Sequence, residues 1–191
     1  MMLRTATLDV EYRSNGLPRL VGHAAVFNQL SNVLSGYFRE RILRGAFTRT
    51  LRKGDPVYCL LNHNPDICIA STNDGSLKLS EDSIGLLAEI EPMDTPTIRD
   101  LVVKPIQEGK LNKMSFAFDV PDGGDLWSYE LGAAVRSVRD ANLYDVAPVA
   151  FPAYPGTDIS ARAHSLSLVS NNVALVELYR MRLRRHQRLA A

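Results

Sequence analysis

Most of this chain consists of short apolar runs that alternate with a period of two or are rich in β-branched residues. Each run is cut off by Gly, Asn, Asp or Pro. A half-buried strand requires that period, because successive side chains point to opposite faces. "TATLDVEYR" (5–13) and "LVGHAAVF" (20–27) read as two strands joined through "SNGLP". "VYCLLNH" (57–63) reads as a strand ended by "NPD". "ICIAST" and "SLKLS" flank "NDG", a two-strand turn signal, and "IGLLAEIE" follows as a further strand. In "MSFAFDV", Phe116, Phe118 and Val120 alternate with Ser115, Ala117 and Asp119. The phenylalanines predict a core-facing side, and Ser115 falls on the other side, where it is expected to be exposed. A Gly/Asp turn at 122–125 then leads into a hairpin through "LWSYELGAAVRSVRD" and "LYDVAPVAF".

Helical patterns are fewer. "NQLSNVLSGYFRERILRGAF" reads as a long connection leading to a short helix near "FTRTLRK", stopped by Gly54. "TPTIRDLVVKPIQEG" predicts a helix with Thr95 as N-cap and Pro96 at the first helical position. Ile98, Leu101, Val102 and Ile106 share one face, and Pro105 is expected to kink or shorten the last turn. "PAYPGT" predicts a loop, "DISARAH" a short helix capped by Thr157, and "NVALVELYRMRLRRHQRLA" a terminal helix. Strands that do not alternate regularly with helices favour an α+β, mostly β fold: an antiparallel β-barrel or sandwich with a few helices packed outside.

With 191 residues the chain suits one domain with a single core. The net charge of +1 gives no argument for nucleic acid or a membrane. Charge is uneven, though: from Asn171 onward five arginines face one acid, Glu177. The boundaries predicted are a main domain over 1–165 and a basic helical tail over 166–191. Two cysteines, no secretory leader and no run of about 20 apolar residues predict a reducing, cytoplasm-like setting.

Four histidines are available as a general base. His186 lies in the basic tail, His164 near a surface helix, and His23 inside a strand beside Gly22, a structural position. His63 closes a strand where an apolar run gives way to a polar turn, a common setting for chemistry. Cys59, His63 and Cys68 offer a zinc alternative, but the C-x3-H-x4-C spacing lacks a fourth ligand and the paired cysteines of structural sites. Both thiols also fall inside apolar strands, where Cys behaves as a small hydrophobe. Asp145, flanked by Tyr144 and Val146, is a carboxylate in an apolar strand and needs a partner. Arg139 is one candidate for it and a histidine is another.

"GYFRERILRGAF", "LNHNPD", "DGSLKLSEDSIGLLAEIE", "GKLNKMSFAFDV" and "LYDVAPVAFPAYPGT" stand in the order and spacing of the tailed-phage prohead maturation proteases. Over residues 20 to 160 the chain resembles that family of serine proteases, which is related in fold to the herpesvirus protease assemblin. The resemblance implies an assemblin-like barrel with Ser115 as nucleophile, His63 as its base and Asp145 as the third member. It further implies a procapsid-packaged endopeptidase of the host cytoplasm, with the capsid protein or its scaffolding segment as substrate, self-cleavage, room for a homo-oligomer, and neither cofactor nor metal. The chain departs from the family pattern at Ala70-Ser71, Lys113 and Ala147, and at "PAYPG", where assemblins carry paired arginines. The oxyanion donors therefore fall to backbone N–H groups or Arg139. From other classes, a catalytically silent scaffold or capsid-binding module would keep the same fold, and a non-viral esterase would require a G-x-S-x-G elbow that the chain lacks.

Overall fold

In the computed structural model, residues 8–12, 18–31, 33–34, 37–130 and 132–150 are described. The loop at "PAYPGT", the "DISARAH" helix, the terminal helix, His164 and His186 lie outside them, as does the turn between the first two strands.

Eleven strands form three sheets among the described residues. The first sheet runs β1 (Leu8–Tyr12), β2 (Pro18–Val26), β7 (Gly85–Ile90) and β6 (Leu77–Glu81), all antiparallel. The second runs β3 (Phe38–Ile42), β10 (Ala133–Val138) and β9 (Asp125–Glu130). The third runs β5 (Cys68–Ser71), β4 (Tyr58–Leu60), β11 (Asn142–Val149) and β8 (Lys113–Asp119).

The mostly-β, α+β expectation holds, but the closed antiparallel barrel does not: each sheet keeps two edges, and no closed barrel is found among the described residues. Two strand pairs are also parallel, β10 with β3 and β11 with β4. β3 was hidden in what reads as a long connection, because its "FRERI" sequence carries three charges in five residues. The structure accommodates them by pairing: Glu40 is buried against Arg136, which also bonds Asp125 and lies over the Trp127 ring. "NDG" does not make a hairpin either. β5 and β6 leave it for different sheets, and the turn is closed by Ser76, whose Oγ accepts from the Ser71 N–H at 2.9 Å. The predicted hairpin after residue 125 forms within "LWSYELGAAVRSVRD" alone, as β9–β10, while β11 returns to pair with β8.

Helix α1 (Thr48–Lys53) ends on Gly54 with φ 72°, the left-handed position that glycine takes without strain. Thr95 caps α2 (Pro96–Ile98) by accepting from the Ile98 N–H at 3.3 Å. A wide π turn, Arg99–Val103, separates it from α3 (Lys104–Gln107). Pro105 explains the wide turn: it has no N–H for the Leu101 carbonyl and its ring would crowd that carbonyl in a regular helix. The extra residue rotates Leu101 out of the predicted apolar face to 46% exposure, while Ile98, Val102 and Ile106 stay buried.

The core lies where these elements meet. Phe47, fully buried at the start of α1, packs edge-on to Phe116 with ring centroids 5.7 Å apart, and Phe118 stacks on Phe116 at 5.1 Å. Aromatic pairs at such separations add roughly 0.5–1.5 kcal/mol beyond area burial. The phenylalanines thus fix which face of β8 is core, as its alternation predicts.

Candidate active site

On β11, Leu143 and Val146 are both core residues although three positions apart, which a regular strand cannot provide. The register shifts between Leu143 and Asp145, and the bulged Tyr144 is half exposed, its hydroxyl donating to Asp119 at 2.8 Å. This bulge reverses the strand's phase. Asp145, Ala147 and Val149 consequently turn to the face opposite the core. The register sets Val146 against Phe116 on the core side, and Asp145 against Ala117 and Ala147 against Ser115 on the other. Asp145 and Ser115 are therefore diagonal neighbours on one face of adjacent strands. On the opposite flank, β4 pairs in parallel with β11, Tyr58 standing against Asp145.

His63 comes from the end of β4, though not as a strand residue. The strand stops at Leu60, and Leu61–His63 form a 3-10 turn. Asn62 (φ 52°) and His63 (φ 57°) both take the left-handed conformation. For L-residues that costs about 1–2 kcal/mol each, and it persists only where the surroundings impose it. Here they do. Leu61 is anchored in the core, its N–H bonds the Ile67 carbonyl, and the Asn64 N–H closes the turn on the Leu61 carbonyl. Asn64 Oδ1 accepts from the Asp66 N–H, and Asn62 Oδ1 accepts from the Ala150 N–H at 3.2 Å, just past the end of β11.

The reversal sends the imidazole back over β11. His63 Nδ1 lies 2.5 Å from Asp145 Oδ1, with the two side chains 11% and 13% exposed. An ionised carboxylate only accepts, so against ionised Asp145 the proton of this bond sits on Nδ1, and in the neutral ring that leaves the lone pair on Nε2. Nε2 is buried and has no hydrogen-bond partner among the described residues. Ser115 Oγ is not bonded to it in this structure; nucleophile–base bonds are often long before substrate is bound and tighten only when it is. Ser115 is 7% exposed, not open to solvent as its alternation suggests, because it lies within the sheet beside the buried end of β11.

Asp145 thus takes a histidine as partner, not Arg139. The Arg139 guanidinium donates to the Gly123 carbonyl at 2.7 and 2.9 Å, and lines a cleft of about 540 Å³ with Arg49, Arg52 and Asp140 that contains no member of the His63 cluster. That removes the basis for Arg139 as an oxyanion donor. Asp140 is held by Arg49. Cys59 is a core residue set in register against Val146, on the core side of the sheet and not the Asp145 side, and desolvation pushes its thiol well above the ordinary range. No cluster of three His, Cys, Asp or Glu suited to a metal occurs among the described residues. His23 bonds Asp82 at 2.8 Å, a structural pairing between β2 and the β6–β7 turn. Among the described residues no helix is long and apolar enough to cross a membrane.

Sequence reasoning missed Asn62 and the bulge at Tyr144. The bulge had a signal, two core-type residues an odd number of positions apart around a lone carboxylate. The bond from Asn62 had none.

The family model of the Caudovirus prohead serine protease matches residues 6–172. No curated protein matches the chain. No solved structure does either, so the expected kinship in fold with assemblin finds no support here.

Proposed function

The chain belongs to the Caudovirus prohead serine protease family, and from that premise we propose that Ser115, His63 and Asp145 form its catalytic triad. The observation that carries this reading is the His63–Asp145 bond, which leaves a buried, unpartnered Nε2 over the sheet face that also bears Ser115.

In the reaction, His63 Nε2 takes the Ser115 proton as Oγ attacks the scissile carbonyl carbon. The imidazolium then gives that proton to the departing amine, leaving an ester on Ser115. Water, deprotonated by the same Nε2, attacks the ester, and the acid leaves with Oγ reprotonated. Asp145 holds the Nδ1–H tautomer and stabilises the imidazolium. Its own burial makes this effective, because a charge pair weakly screened by water interacts strongly. The substrate is the capsid protein's scaffolding segment or a separate scaffold, cleaved inside the procapsid, with self-cleavage as a side reaction of the same chemistry.

Co-expression with the capsid protein of the same phage tests this. Wild type should shorten the capsid protein on a gel, and Ser115→Ala and His63→Ala should each stop it while melting normally. Cleavage by a folded Ser115→Ala protein would refute the triad and favour the silent-scaffold alternative.

A further inference from the structure

The turn that carries His63 is tied to β11 by two side chains only a residue apart: His63 to Asp145, and Asn62 to the Ala150 N–H. Among the described residues the remaining hydrogen bonds of the turn are internal to residues 61–67 and hold its shape, and Leu61 in the core anchors one end of it, but neither sets the direction of the His63 ring. A single imidazole–carboxylate bond is also insufficient, since the ring can pivot about it while Nε2 sweeps an arc. A second attachment on the same strand, at the far end of the segment from Asp145, stops that pivot.

We infer that Asn62 is a positioning residue, whose side-chain carbonyl clamps the Ala150 N–H and so sets the direction in which His63 Nε2 points. This rests on the triad reading above. The residue type suits such a role, because asparagine is among the few non-glycine residues that enter the left-handed region readily, and its short amide reaches a neighbouring backbone group from there. Glycine would take the same backbone but could not clamp. Aspartate would keep both the backbone and an acceptor oxygen.

That comparison is the test. An alkyl fluorophosphonate needs no knowledge of the natural substrate. Ser115 Oγ bonds to phosphorus, fluoride leaves, and the hydroxyl proton passes to His63. With the full chain, Asn62→Gly should lower the maximal labelling rate by about 10- to 100-fold, the scale on which ångström displacements of a catalytic group act. The apparent probe affinity should stay within about twofold, because the clamp touches the base and not the probe. Asn62→Asp should recover most of the rate. A merely structural residue would not give that split together with that rescue.

Asn62→Gly labelling at the wild-type rate would overturn the clamp, and so would Asn62→Asp failing as badly as glycine. An Asn62→Gly chain that does not fold would make Asn62 a folding residue and overturn it too. Ser115→Ala run alongside separates the two levels: if it still labels at the wild-type rate, the triad reading has failed. If it is silent and Asn62→Gly is normal, only this inference has.

Discussion

His63 and Asp145 divide the work unequally, and substitutions should show it. Asp145→Asn keeps the shape of the site but no longer holds the Nδ1–H tautomer, so turnover should drop on the order of 10⁴-fold, less than the ~10⁶-fold loss of Ser115→Ala. Single-turnover cleavage rates of the two variants check this, and an Asp145→Asn enzyme as fast as wild type would move the orienting role elsewhere. Asp82 supplies a prediction for stability. Burial works to raise its pKa, but the His23 ring and the N–H groups of Gly85 and Ile84 hold it down at about 2. A depressed carboxylate stabilises above its unfolded value of about 3.9, and that contribution is lost as pH falls through the folded value. Asp82→Asn should therefore melt below wild type at neutral pH, with the gap closing between pH 4 and 2.

Strand phase is the decisive property at the scale of the element. The Tyr144 bulge turns Asp145 away from the core, and a second register shift, between His23 and Ala25 on β2, accompanies the close approach of Gly85. A Cβ at Gly85 would stand 1.8 Å from the Ala25 carbonyl oxygen, a backbone atom that cannot swing aside. Gly85→Ala should cost at least 1–3 kcal/mol, the usual range for forced overpacking, read as a lower denaturant midpoint at unchanged slope. An unshifted midpoint would mean that β2 and β7 slide more freely than their pairing indicates.

For the whole molecule, the family match stops at residue 172, and the basic stretch begins at about the same place. Everything the proposed chemistry uses lies before residue 151. A chain lacking residues 173–191 should label with fluorophosphonate within about twofold of wild type. If the basic stretch instead serves to capture the protease on acidic scaffold, the shortened chain should be recovered in fewer copies per procapsid. Added salt should reproduce that loss, since exposed charge contacts are screened over about 8–10 Å. Normal packaging of the shortened chain would end the docking idea, and a collapse of labelling would place the tail in the folded domain.

The sequence alone determined the local features: that the apolar alternating runs are strands, the Thr95 cap, the Gly54 stop, and the face of β8 that Phe116 and Phe118 bury. Each depends on residues within a few positions of one another, so period and propensity suffice. It also singled out His63, Ser115 and Asp145, through their neighbours and the resemblance those neighbours carry. What it could not contain was pairing between distant segments. β3 looked polar because Arg136, which compensates Glu40, lies 96 residues away. "NDG" looked like a hairpin because nothing local says that its two strands join different sheets, and the three separate sheets of the described residues, in place of a closed barrel, are equally a matter of distant pairing. Asp145 found His63 across 82 residues, and Asn62 found Ala150 across 88. Such contacts form only when β4 and β11 lie side by side, and that adjacency is decided by the packing of the whole core rather than by either segment.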